Sequence, residues 1–139
     1  MGLTNKTLGE LLEYMNSERL KLPEIQREFV WTRKSIKLLF DSLYRGLPIG
    51  QMLVWKPKEV IPISKGFSGK LNKHHPSKID HFYGYLLDGQ QRLTAISRVL
   101  DDDDDYPLMM NCFPEKGEWE ETFFWSRGQT NNNSWHLQV

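Results

Sequence analysis

The sequence has little cysteine and no long apolar run. Its 139 residues contain one cysteine, Cys112, which excludes an internal disulfide and fits a reducing cytoplasm. Cys112 lies in an apolar run, which predicts a packed core thiol. No apolar stretch approaches the length of a membrane span, and the first residues lack the apolar core of a secretory signal. These absences predict a cytoplasmic domain with no membrane contact.

The net charge of zero conceals an uneven distribution. Residues 1–100 carry sixteen basic and nine acidic side chains, a net charge of +7, whereas residues 101–139 carry two and nine, a net charge of −7. The basic part favours nucleic acid or nucleotide as a partner. The alternative is that the two parts pair with each other in the fold. His74, His75 and His81 lack zinc-ligand spacing, so no metal site is predicted from them.

Hydrophobic spacing predicts an α+β fold, with about three helices around a small mixed sheet of four to six strands. We predict a domain over 1–125, followed by a disordered tail or truncation point over 126–139. The predicted helices are 8–16, capped by Thr7 and Glu10, 33–45, capped by Thr32, and one that ends near Leu100. The predicted strands are an edge strand at 20–23 that Pro23 ends, a buried strand at 51–55, one at 85–87, and two near 106–113 and 119–125. A long loop is predicted over 56–82, in which a short strand around Val60–Ile63 is possible.

The most informative stretch runs from Tyr85 to Ile96. It is typical of a strand, a tight turn at Asp88-Gly89, and a helix that starts immediately afterwards. Such a helix directs its free N–H groups and the positive end of its dipole at whatever lies above the turn, which predicts an anion site. Arg92 in the first turn would reach the same anion with its planar guanidinium. The alternative is that Asp88 is only a helix N-cap and that the polar residues after it form a solvated first turn.

Three motifs occur in a consistent order. They are Leu22-Pro23-x-Ile25-Gln26-Arg27-x-Phe29-Val30-Trp31, then Gly46-Leu47-Pro48-Ile49-Gly50, then Leu87-Asp88-Gly89-Gln90-Gln91-Arg92-Leu93-Thr94. Over about residues 7–113 the chain resembles the N-terminal domain of GmrSD-type modification-dependent restriction systems, within the ParB/sulfiredoxin-like superfamily.

The resemblance implies a domain that binds and hydrolyses a nucleoside triphosphate with Mg²⁺ and so licenses DNA cleavage in anti-phage defence. It implies that Arg27 and Arg92 neutralise phosphate charge, and that Gly89 with the backbone of Gln90 and Gln91 forms the phosphate cradle. Asp88, Gln91 and Gln26 are the catalytic candidates. Asp88 would hold a metal, orient Arg92 or act on the attacking water, and one of the two glutamines would position that water.

The chain departs from the family pattern in two respects. Ile25 stands where an aromatic residue is common, and no His-Asn-His nuclease pattern surrounds His136. DNA is therefore expected as a partner through the full-length protein or a separate nuclease, and an oligomer is possible. Three interpretations stay open, namely a regulatory NTPase domain, a non-catalytic DNA- or nucleotide-binding module, and a structural domain. Redox chemistry of the sulfiredoxin kind is disfavoured, because Cys112 is twenty residues from Arg92.

Overall fold

The computed structural model describes residues 5–58, 63–65, 71–73, 82–101, 103–112, 122–126 and 135–136. These parts contain three helices and eight strands, which confirms the α+β class. The helices are α1 (Leu8–Asn16), α2 (Arg33–Tyr44) and α3 (Gln90–Leu100). The strands are β1 (Leu20–Pro23), β2 (Leu53–Trp55), β3 (Ile63–Lys65), β4 (Leu71–Lys73), β5 (Gly84–Asp88), β6 (Leu108–Met110), β7 (Phe123–Trp125) and β8 (Trp135–His136).

The chain divides into two compact units. Unit 1 comprises Met1–Phe29 and Gln51–Gln90, and unit 2 comprises Val30–Gly50 and Gln91–Val139. Each unit therefore takes two separate stretches of the chain. None of the helices in the described parts is long and apolar enough to cross a membrane.

Unit 1 is built on a five-stranded mixed sheet with the strand order β2-β5-β1-β3-β4. β1 and β5 run parallel, and the other neighbouring strands run antiparallel. The two central strands bury Leu20, Leu22, Tyr85 and Leu86, all at most 3% exposed. The predicted strand before the turn is confirmed as β5, which carries the chain from the middle of the sheet to the start of α3.

Two predictions about strand position in unit 1 are wrong. The strand at 20–23 forms, but it lies inside the sheet between β5 and β3. Pro23 is the last residue of β1, as the sequence predicted, and pairs with Ser64 of β3. The strand at 51–55 is shorter, at Leu53–Trp55, and forms the exposed edge instead of a buried strand.

The predicted loop over 56–82 contains two strands, β3 and β4. β3 and β4 pair antiparallel, with Ser64 opposite Asn72. The strand expected near Val60–Ile63 overlaps β3 at Ile63, while residues 59–62 lie outside the described residues. His74, His75 and His81 also lie outside them.

Helix α1 begins with the predicted capping box. Thr7 Oγ1 accepts from the Glu10 backbone N–H at 3.2 Å, and Glu10 Oε2 accepts from the Thr7 backbone N–H at 2.8 Å. Lys6 Nζ also lies 2.8 Å from Glu10 Oε1. The Lys6 ammonium and then the Thr7 donors lower the pKa of Glu10 from 4.5 to about 2, and the Glu10 carboxylate raises the pKa of Lys6 above its usual range.

The Glu10 cap is expected to be pH-dependent. Because the folded pKa is lowered, the stabilisation by Glu10 is complete above pH 4.5 and is lost as the pH falls through about 2. The Thr7 amide resonance, followed by NMR, should titrate with that low midpoint. The low-pH step should disappear in Glu10→Gln and persist in Glu13→Gln, which removes a carboxylate outside the cap. A Thr7 titration centred near pH 4.5 would contradict the pKa assignment.

Unit 2 joins two helices to a three-stranded antiparallel sheet with the order β7-β6-β8. Thr32 caps α2 as predicted, its Oγ1 accepting from the Ser35 N–H at 3.2 Å. Phe40 and Tyr44, one helical turn apart, meet the Phe123 ring edge-on, with ring centroids 6.1 and 5.9 Å apart. The unit also buries apolar side chains of α2, α3 and β6, namely Ile36, Leu39, Leu93, Ile96, Val99, Leu108 and Met109.

Several further predictions concern residues of unit 2. Helix α3 ends at Leu100, and the two predicted strands near 106–113 and 119–125 form as the pair β6 and β7. Cys112 was expected to be a core thiol, but it is exposed, because it follows β6 after Asn111 and lies outside the sheet. Within the predicted tail, Trp135–His136 pairs with β6, and residues 127–134 and 137–139 lie outside the described residues. The boundary at residue 125 stays a prediction.

Candidate functional site

The strand, turn and helix at Asp88–Arg92 have the geometry that the sequence indicates. β5 ends at Asp88, α3 begins at Gln90, and Gly89 between them is buried with a φ of +94°. Only glycine adopts such a φ without strain. Gly89, and not Asp88, occupies the position before the first helical residue. The first turn of α3 therefore starts directly after a residue that has no side chain.

The boundary between the two units falls inside this motif, between Gln90 and Gln91. On the side of unit 1, two glutamine amides connect the turn to the 24–29 loop. Gln26 Nε2 donates to the Leu87 carbonyl at 2.9 Å, and Gln90 Nε2 donates to the Arg27 carbonyl at 2.8 Å. The loop and the turn thus each supply one side-chain amide and one backbone carbonyl to the other. Gln26 and Arg27 lie beside the turn, as the sequence predicts.

The side chains of the 24–29 loop divide into held and exposed ones. Gln26 is held by its bond to Leu87, whereas Arg27 is exposed, with no hydrogen bond or ion pair from its guanidinium to another described residue. Ile25 is 93% exposed and so does not point into a core. Hydrogen bonds between glutamine side chains and backbone carbonyls hold the loop, and the Arg27 side chain is accessible to solvent.

On the side of unit 2, the first turn of α3 contacts the segments that flank α2. Gln91 Oε1 accepts from the Val30 N–H at 2.8 Å, and Arg92 Nη1 donates to the Ile49 carbonyl at 2.7 Å. The Arg92 bond is short, as expected for a charged donor. Val30 and Ile49 take part through backbone atoms, and so residue type gave no signal for these two partners.

The position of Arg92 is electrostatically unfavourable for the helix alone. The N-terminus of a helix carries partial positive charge, and a cation in its first turn is repelled by it. Arg92 lies in this turn of α3, half-buried, with its guanidinium held by a carbonyl. The helix dipole and the arginine together favour a bound anion.

The described residues contain no group of three or more His, Cys, Asp or Glu side chains suited to a metal ion. Mg²⁺ in phosphate chemistry is commonly bound by one or two carboxylates together with the phosphates themselves. Asp88, exposed at the end of β5, is a carboxylate of the required kind. A magnesium ion that arrives with a nucleotide is therefore compatible with this residue set.

The described residues have an α+β fold with a strand-to-helix turn whose residue types suit an anion. A family model described as the GmrSD restriction endonuclease N-terminal domain matches residues 8–138, and the chain belongs to that family. The family is described as a domain of a restriction endonuclease.

A curated relative is the uncharacterized protein MJ0686 of Methanocaldococcus jannaschii, which is 33% identical to this chain over 98 residues. The match covers 66% of this chain and 16% of the relative, so the chain spans about a sixth of that protein's length. No solved structure matches the chain.

Proposed function

We propose that this domain binds a nucleoside triphosphate with Mg²⁺ at the start of α3 and hydrolyses it, as a regulatory step in DNA restriction. The observation that carries the proposal is the position of Arg92. This cation is hydrogen-bonded to the Ile49 carbonyl and lies in the first turn of α3, which starts directly after Gly89. Family membership supports the restriction role and DNA as a partner of the complete system.

The residues have distinct parts in this proposal. Arg92 and the N–H groups at the start of α3 neutralise phosphate charge, and Arg27 is a second, solvent-accessible cation for the same purpose. Asp88 would hold the magnesium ion or act on the attacking water. Magnesium, when bound with the nucleotide, would neutralise charge that develops on the phosphates.

Two of the catalytic candidates have a second explanation in the structure. The Gln26 side chain donates to the Leu87 carbonyl, and the Gln91 side chain accepts from the Val30 N–H. Both side chains therefore hold loops, and their part in positioning water stays a prediction. Gln90 acts in the same way through the Arg27 carbonyl, beside its proposed backbone contact with phosphate.

The proposal predicts binding that depends on Arg92. Calorimetry with ATP, GTP, CTP and UTP, each with Mg²⁺, should detect binding to the wild type. Arg92→Ala should weaken it roughly 10- to 100-fold, because a charge-assisted bond contributes about 1.5–3 kcal/mol. Arg92→Lys should lie between the two, since it keeps the charge and loses the fork.

Arg98→Ala is the matched control. It removes the same charge from the last turn of the same helix, where Arg98 contacts Asp103 and Tyr106. Equal losses in both variants would indicate a general charge effect and contradict the proposed site. Phosphate release then separates the two leading functions, because turnover that Arg92→Ala abolishes supports an NTPase, while binding without turnover supports a non-catalytic module.

A further inference from the structure

Gly50 leaves a space that the Arg92 guanidinium occupies. A Cβ placed on Gly50 would collide with Nη1 of Arg92 and would lie 3.3 Å from its Cζ. Both residues belong to unit 2, so this contact lies within one compact unit. Any side chain at position 50 would therefore push the guanidinium away from where it now lies.

The residue before Gly50 fixes the same group by a different contact. The Ile49 carbonyl accepts from Arg92 Nη1 at 2.7 Å, so the guanidinium is hydrogen-bonded at residue 49 and seated against the bare backbone of residue 50. A guanidinium is rigid, so contacts that hold Nη1 and Cζ set the direction of the bond between these two atoms. Ile49 and Gly50 thus each constrain where the guanidinium of Arg92 lies.

We propose that Gly50 is a positioning residue for phosphate binding, which acts only through Arg92. This inference rests on the proposed function, because it assigns Arg92 the phosphate. A misplaced charged group loses much of its effect on a ligand, since the benefit depends on geometry that is set in advance. Replacement of Gly50 should therefore weaken phosphate binding although the charge of Arg92 is retained.

Backbone conformation is the competing explanation for Gly50. Its φ is +92°, and alanine would be strained there even if Arg92 were absent. Gly46, in the same unit, separates the two explanations. It also has a positive φ, +67°, but a Cβ on Gly46 would meet nothing within 4 Å. Gly46→Ala therefore brings backbone strain without a collision and serves as the matched control.

The test measures binding of Mg²⁺-ATP, Mg²⁺-GTP and inorganic tripolyphosphate to the wild type, Gly50→Ala, Gly46→Ala, Arg92→Ala and the double variant Gly50→Ala/Arg92→Ala. We expect Gly50→Ala to weaken binding roughly 10-fold and Gly46→Ala to change it less than about 2-fold. In the Arg92→Ala background, Gly50→Ala should have no further effect on binding, because the residue through which it acts is gone.

Thermal unfolding of the same variants gives an independent readout. Removal of the guanidinium relieves the collision, so Gly50→Ala should lower the melting temperature less in the Arg92→Ala background than in the wild type. This comparison applies even where Gly50→Ala alone does not fold. The inference is overturned if the losses of melting temperature in the two single variants add up to the loss in the double variant. It is also overturned if the double variant fails to fold.

The failure of this inference can be told apart from failure of the proposed function. Binding that is lost in Arg92→Ala, together with equal binding by Gly50→Ala and Gly46→Ala, overturns the positioning role and leaves the phosphate site standing. No binding of any of the three probes by a folded wild type overturns the phosphate role of Arg92, and the positioning role with it.

Discussion

Replacing Leu86 with alanine is expected to lower the free energy of unfolding by about 2–5 kcal/mol, the usual cost of truncating a buried leucine. Leu86 is 0% exposed and lies in β5, which runs between β2 and β1 in the sheet of unit 1. Its neighbours are held on both sides by strand pairing, so they collapse little into the cavity. Urea unfolding monitored by circular dichroism measures this loss.

The next residue provides the control for Leu86. Leu87 has the same side chain in the same strand, but it is 38% exposed. Its contact with Gln26 is made by the backbone carbonyl, which alanine retains. Leu87→Ala should therefore cost less than about 1 kcal/mol. Similar losses in the two variants would mean that the face of β5 that packs into the core has been assigned wrongly.

Phe123→Ala is expected to have an effect of about 3–5 kcal/mol, through the core of unit 2. Phe123 is 4% exposed, and its ring meets Phe40 and Tyr44 edge-on. The substitution removes both ring contacts as well as the buried apolar area. Aromatic pairs add to the free energy of unfolding beyond what their buried area contributes. The midpoint of chemical unfolding, compared with the wild type, reports the change.

Phe124→Ala tests whether this loss belongs to one face of β7. Phe124 follows Phe123 in the strand and is 38% exposed. Since successive side chains of a strand point to opposite faces, its truncation leaves the buried ring in place. A loss below about 1 kcal/mol is expected. A larger loss from Phe124→Ala than from Phe123→Ala would reverse the assignment of the two faces.

Local signals in the sequence were enough for the helices and for the turn. Thr7 with Glu10, and Thr32 before α2, are caps whose partners lie three residues away, so residue type and spacing alone identify them. The turn at Asp88-Gly89 likewise needs only a strand pattern, a glycine and a helical pattern in succession. Family motifs added the proximity of Gln26 and Arg27 to that turn.

Position within a sheet was decided only by tertiary structure. Nothing local in residues 20–23 shows whether a neighbouring strand will pair on one side or on both, and β1 acquired β5 on one side and β3 on the other. The edge position of β2 follows in the same way from its pairing with β5 alone. The spacing of apolar residues indicates whether a segment forms a helix or a strand, whereas the partners of a strand depend on residues far along the chain.

The candidate site divides in the same way. The sequence by itself determined the local motif, because a glycine turn, a helix start and an arginine in its first turn are all adjacent along the chain. Only the tertiary structure decided what holds them: the Val30 N–H for Gln91, the Arg27 carbonyl for Gln90, and the Ile49 carbonyl for Arg92. These partners are backbone atoms 43 to 63 residues away. Every residue type offers such atoms, so folding, and not residue identity, selects among them.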